Sequence, residues 1–292
     1  MLHSRGVSIS EFAQQEMVTA DGNVIVARFF APREPIKAAV LIVPAMGASQ
    51  NYYAPFAAWL ADQGFLAATF DYRGTGLSLR SSLRGFDADI VDWARLDCAT
   101  MVESLSARAR DKPLYWIGHS LGGQILPFVP NRERVAKMVT VATGSGYWRE
   151  NSAPLRLIVW WLWYVVAPLS LRIFGYFPGK RLRKVGDLPR GVMEQWRRWC
   201  LNPEYAVGAE GDQVRTLYAS VGAPIVSLSF TDDEYMSARN TDSIHGFYVN
   251  APLKMKRIAP KDIGAARIGH FGFFRPAFEA SLWRSHLLPE LS

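Results

Sequence analysis

Cysteine is scarce in this sequence: there are two among 292 residues, Cys98 and Cys200. They lie far apart and without metal-ligand spacing, which excludes a disulfide framework and a cysteine-based zinc site. Both are expected to be buried thiols. No cluster of metal-ligating side chains is evident, and no Gly-x-Gly-x-x-Gly opens a helical stretch, so no metal and no cofactor is expected. Internal repeats and low-complexity tracts are missing too. The first residues, "MLHSRGVSISEFAQQEM", lack the basic flank, apolar segment and small-residue cleavage site of a secretory signal, and a cytoplasmic location is the expectation. The net charge of +7 suits a neutral or anionic partner. The basic residues carry no nucleic-acid-binding motif, so a nucleic-acid partner is not expected.

What is present is a globular composition, 49% apolar and 20% charged. "EMVTADGNVIVARFF" reads as two short strands around an Asp21-Gly22 turn. "KAAVLIVPAMG" is a continuous apolar run, as a strand buried on both faces would be. A helical stretch from Tyr53 to Gln63 follows, then the strand-like "FLAATFDYRGTGLS" and an amphipathic segment from Asp89 to Arg108. Further strand runs are Leu114 to Ile117, Val135 to Ala142, Ile225 to Phe230 and, more weakly, Met255 to Ile258. Strands alternating with helices predict an α/β fold with a mostly parallel sheet covered on both faces. The alternation stops between Gly144 and Val221, a stretch dense in Trp and Arg. Residues 144–221 are therefore expected to form a helical cap inserted into a core of 1–143 and 222–292.

The chemistry centres on "LYWIGHSLGGQI". Gly118-x-Ser120-x-Gly122 matches a nucleophile elbow, in which serine takes a strained turn between strand and helix and its neighbours two residues away must be almost bare. The helix expected after Ser120 would aim free N–H groups at developing negative charge. A serine needs a base, and the base an orienting acid, in the chain order Ser, acid, His. Of five histidines, His3 and His119 precede or abut the serine, and His286 sits in a helical tail as a surface residue. His270 in "ARIGHFGFFRP", in a Gly-flanked loop after the last strand, is the candidate base; His245 is the reserve. The acid is sought in "FTDDEY", where Asp232, Asp233 and Glu234 cluster at a strand end; Asp71 has the wrong order. Two N–H donors for an oxyanion are expected from Leu121, after the nucleophile, and from Met46 in the "VPAMGAS" loop.

With "FDYRGTGLS", "IGHSLGG" and "GHFGFF" in this order, the chain resembles the α/β-hydrolase superfamily over nearly its whole length, most of all a bacterial subfamily. The resemblance implies a catalytic triad. Relatives place the acid at the end of Gly-x-x-Asp; with Phe230 standing where that glycine falls, the acid is Asp233. Relatives often carry His-Gly before the oxyanion residue, where this chain has Pro44-Ala45. Serine, not aspartate, at the elbow disfavours dehalogenation and epoxide opening. The expected function is hydrolysis of a carboxylic ester with an apolar acyl or aromatic group, through an acyl-enzyme on Ser120, His270 and Asp233. A thioesterase or acyltransferase would use the same residues, and a non-catalytic binding protein would keep only the fold.

Arg156 and Arg172 bracket fifteen uncharged residues containing Trp160, Trp161, Trp163 and Tyr164. Pro168 is expected to interrupt this run, so that it does not span a membrane. Two readings remain. In one, the segment roofs the active site and Trp160, Trp161 and Trp163 line an apolar substrate pocket. In the other it is interfacial, making peripheral membrane contact, with Lys180, Arg181, Arg183 and Lys184 meeting anionic headgroups.

Overall fold

A computed structural model describes residues 12–182 and 185–291. His3, Arg183 and Lys184 lie outside the described residues. Eight strands form one sheet: β1 (Phe12–Val18), β2 (Val24–Phe30), β3 (Ala38–Val43), β4 (Phe65–Asp71), β5 (Leu114–His119), β6 (Val135–Val141), β7 (Ile225–Phe230) and β8 (Leu253–Ile258). Their order is β1-β2-β4-β3-β5-β6-β7-β8, antiparallel at β1/β2 and β2/β4 and parallel elsewhere. This is the α/β-hydrolase fold.

The strand runs in the sequence reappear because β3, β4 and β7 are buried along their full length. Such strands cannot alternate apolar with polar; each buried Val, Leu or Ile contributes about 1.5–3 kcal/mol to the folded state. The edge strand β8 is different. It presents Lys254, Lys256 and Arg257 among mostly exposed positions, charge that discourages pairing with another chain.

Two cores lie on opposite faces of the sheet. On one face Phe56, Trp59 and Leu60 of the helix Ala54–Asp62 pack with Phe273, Phe274 and Trp283 from the C-terminal region. On the other, Trp93, Met101, Val102 and Leu105 from the segment 90–108 join Trp199, Tyr205 and Tyr218. That segment begins with a reciprocal cap: Asp89 Oδ1 accepts the Asp92 N–H at 2.9 Å, and Asp92 Oδ2 accepts the Asp89 N–H at 3.0 Å. Cys98 and Cys200 are buried free thiols.

Two local expectations need correction. After Ser120 the chain forms not an α-helix but two short 3₁₀ turns, Ser120–Gly123 and Leu126–Phe128. Gly122 and Gly123 favour no helix, and Pro127 brings no N–H to continue one. Nor does Pro168 interrupt the Trp-rich run. Helix Ala153–Trp161 passes through a π-helical stretch, Leu162–Val166, into helix Ala167–Phe174. The wider π turn comes just before Pro168, which then occupies the first turn of the following α-helix, where a missing N–H is tolerated. Leu155–Phe174 is consequently a 20-residue helical run with mean hydropathy 1.7, long and apolar enough by length and composition to cross a membrane.

Candidate active site

The parallel strands deliver the chemistry to one edge. The loops after β3, β5 and β7 carry Met46, Ser120 and Asp233, and the chain following β8 carries His270. Carboxyl ends of parallel strands are the usual place for a site in an open α/β sheet.

Ser120 has φ of +50°, the left-handed region that a residue with a side chain seldom occupies. Its surroundings impose this turn. A Cβ on Gly118 would fall 2.3 Å from the Gly122 carbonyl oxygen, and one on Gly122 would fall 2.2 Å from the Val43 oxygen. The two elbow glycines are thus needed for backbone-to-backbone approach. Trp116 Nε1 donates to the Gly122 carbonyl at 2.8 Å and Thr143 Oγ1 to that of Ser120 at 3.1 Å, which hold the turn from both sides. Met46 and Leu121 are buried, and among the described residues the Met46 main-chain N–H has no protein acceptor. The neighbouring Ala45 N–H is engaged: it donates to Tyr53 Oη at 2.9 Å.

His270 Nδ1 lies 2.9 and 3.1 Å from the two carboxylate oxygens of Asp233, both side chains almost wholly buried. A carboxylate only accepts, so Nδ1 is the donor of this pair, and in a neutral imidazole Nε2 is then the acceptor. Asp233 Oδ1 also accepts the N–H groups of Tyr235 and Met236, at 2.8 and 2.9 Å, which fixes the carboxylate's position. Its two acidic neighbours act on the same loop. Asp232 Oδ2 accepts the N–H groups of Ile268 and Gly269, at 2.8 and 3.1 Å, and Glu234 Oε2 that of His270, at 3.0 Å. Burial would raise the Glu234 carboxyl, but its own N–H, that of His270 and the Arg267 charge outweigh burial and hold it below its ordinary 4.5.

His119 joins the elbow to this loop. Its Nε2 is 3.1 Å from the His270 carbonyl and must donate to it. Burial, reinforced by the nearby His270 ring, pushes its pKa well below 6.5, so the ring is neutral and Nδ1 accepts. The Tyr53 hydroxyl, 2.8 Å away, supplies that proton. A continuous chain results: Ala45 N–H to Tyr53 Oη, Tyr53 O–H to His119 Nδ1, His119 Nε2–H to the His270 carbonyl. Tyr52 adds a second strut by donating to the Phe271 carbonyl. The ring centroids of His119 and His270 are 5.3 Å apart, so the base candidate sits beside the elbow. Ser120 Oγ itself makes no hydrogen bond among the described residues.

The remaining candidates fall elsewhere. His245 is buried between Thr140 Oγ1, 2.8 Å from Nε2, and the Thr241 carbonyl, 2.7 Å from Nδ1, as a satisfied core residue. Asp71 is buried and accepts from the Gln50 N–H, Gln50 Nε2 and the Leu77 N–H. His286 is half-buried rather than fully on the surface, beside Lys256. Trp160 and Trp161 are exposed and touch each other edge to face, while Trp163 is buried against Trp196. Rings that do flank the base are Tyr235 and Phe271, each with its centroid 5.1 Å from that of His270. Beside them is a cleft of about 260 Å³ lined by Glu234, Arg267, His270 and Arg275. No group of three or more His, Cys, Asp or Glu among the described residues is placed to hold a metal ion.

Sequence reasoning missed the work of Asp232, Glu234, Tyr52, Tyr53 and His119. The acidic triplet and the tyrosine pair were visible, but nothing local says which carbonyl or N–H each reaches.

Comparison with known proteins agrees with the fold. An esterase of Pyrococcus furiosus is 14% identical with a TM-score of 0.62, over 96% of this chain and 90% of that one. A soluble variant of the monoglyceride lipase from Saccharomyces cerevisiae, solved with a substrate analogue, is 16% identical with a TM-score of 0.61, over 88% and 89%. A thermostable carboxyl esterase from Bacillus coagulans is 14% identical with a TM-score of 0.60, over 85% and 90%. No curated protein sequence matches the chain. The family model described as Serine aminopeptidase, S33 matches residues 34–187, more than half of its length. The chain therefore belongs to that family, one of the serine α/β hydrolases.

Proposed function

We propose that the protein hydrolyses a carboxylic ester bearing an apolar acyl or aromatic group, through an acyl-enzyme on Ser120. The observation that carries this reading is the buried Asp233–His270 pair, its imidazole 5.3 Å from the ring of His119, the residue before a serine held at positive φ. Ser120 Oγ attacks the ester carbonyl while His270 Nε2 takes its proton. Asp233 holds the imidazole in the tautomer that makes this possible. The Met46 and Leu121 N–H groups donate to the oxyanion, each contributing on the order of 10²–10³ in rate if it behaves like other such donors. Collapse breaks the ester C–O bond, and the proton on His270 goes to the leaving alcohol. Water then attacks the acyl group, again giving its proton to His270, and the carboxylic acid leaves with Ser120 restored. The aromatic rings of Tyr235 and Phe271 beside the base favour an apolar substrate group.

A fluorophosphonate probe tests the nucleophile. Wild type is expected to be labelled and Ser120→Ala, with an unchanged circular dichroism spectrum, is not; equal labelling of both would refute the assignment. A panel of p-nitrophenyl esters tests the substrate class, with medium acyl chains expected to exceed acetate in kcat/KM.

A further inference from the structure

The helical run Leu155–Phe174 poses a problem that catalysis does not solve. Its inner side is well covered: Trp163, Ala167, Ser170 and Leu171 are buried, and Arg197 Nε donates to the Trp163 carbonyl. Its outer side carries Leu157, Ile158, Trp161, Tyr164, Leu169 and Ile173, each between 45% and 67% exposed. A helix covered on one side is normally polar on the other; this one is apolar all round. Lying flat, it offers an uncovered apolar strip about 30 Å long.

We propose that this face docks the protein on the surface of an anionic lipid bilayer, the helix lying in the plane of the headgroups. Charge selects the occupant. From Asn151 to Gly186 the sequence has six basic residues and no acidic one. Among them Arg172 is exposed on the helix itself, long enough to keep its charge among headgroups while its stem lies along apolar surface. Lys180 and Arg181 are exposed just beyond it. Exposed Trp and Tyr beside basic residues suit the boundary between headgroups and acyl chains. A second copy of the chain suits it poorly, because a twofold contact through this strip would oppose like charges. The packed inner face argues against crossing, since Trp163 and Leu171 would have to leave the body of the protein. The surface is also joined to the chemistry. The segment following the helix returns so closely over the Met46 loop that a Cβ on Gly47 would fall 2.6 Å from the Gly186 nitrogen.

Flotation of the full chain with vesicles of phosphatidylglycerol and phosphatidylcholine in equal parts, beside phosphatidylcholine alone, tests the proposal. Wild type is expected to float with the anionic vesicles at least ~10-fold more than with the neutral ones, and to be released by alkaline carbonate. The variant Leu157→Glu/Leu169→Glu/Ile173→Glu is expected to partition at least ~100-fold more weakly, while hydrolysing a short soluble ester at the wild-type rate. Ser120→Ala is expected to float like wild type, which separates this proposal from the catalytic one. Quenching of wild-type tryptophan emission by brominated acyl chains is a readout that needs no variant. Equal flotation of the triple variant, indifference to anionic vesicles, retention after carbonate, unquenched emission, or a dimer that this face holds together would each overturn it.

Discussion

The Nε2–H of His119 points to the main-chain carbonyl of His270, 3.1 Å away and 151 residues further along the chain. The residue before the candidate nucleophile thus holds the loop that carries the candidate base. Since Tyr53 and Ala45 continue the same chain of hydrogen bonds, the oxyanion loop, the elbow and the base loop are tied through one buried ring.

Tyr53→Phe removes the link while keeping the ring. It leaves the Ala45 N–H and His119 Nδ1 without their partner in a dry place, at about 1–3 kcal/mol for each group. We expect a lower Tm and a fall in kcat of about 10-fold or more with little change in KM, because the loops lose alignment rather than substrate contacts. A variant with wild-type kcat would show that the tie does not position the site.

The three neighbouring acids should separate by function. Asp233→Asn is expected to reduce turnover by about 10⁴, as loss of the orienting carboxylate does in other triads. Asp232→Asn keeps the imidazole's partner and weakens only the anchoring of Ile268 and Gly269, so its loss should be far smaller. Steady-state kinetics of the two variants decides; a larger effect from Asp232 would reverse their roles.

His119 gives a pH dependence with a definite sign. Its pKa in the folded protein lies below the 6.5 of an ordinary histidine, first because of burial and then because of His270. The unfolded chain therefore takes up a proton that the folded one refuses as pH falls below 6.5. The stability present above that value is progressively lost toward the lower folded-state pKa. His119→Gln lacks this contribution. The Tm gap between wild type and variant is expected to narrow on going from about pH 7.5 to about pH 5. A constant gap would mean that His119 is not buried neutral.

Gly122→Ala probes the elbow itself. A methyl group 2.2 Å from the Val43 oxygen cannot be accommodated without moving β3 or the turn. Strain of this kind typically costs about 1–3 kcal/mol or more. Chemical denaturation should show the loss, and fluorophosphonate labelling should fall with it. Wild-type stability would contradict the close approach.

Much of this molecule can be read along the chain, because strand burial and tight turns leave local marks. The apolar runs of β3, β4 and β7, the Asp21-Gly22 turn and the glycines around Ser120 each answer a demand made within a few residues. The order serine, acid, histidine is legible too once the elbow is recognised, with only the resemblance to relatives singling out Asp233 from its acidic neighbours. The Trp-rich run shows where local signals mislead: Pro168 reads as a break, and only the π turn before it lets the helix continue.

Long-range contacts decided the rest. Whether Asp232 or Asp233 meets the imidazole depends on which way two adjacent side chains point at the end of β7, and both choices look alike in one dimension. Tyr53, His119 and the His270 carbonyl meet only after the sheet has closed, so no spacing foretells their chain of hydrogen bonds. Composition made the Trp-rich segment apolar, but packing alone chose which side it covered. Trp163 went inward and Leu157, Trp161 and Ile173 were left outside, because the body of the protein offers that helix only one face to bury against.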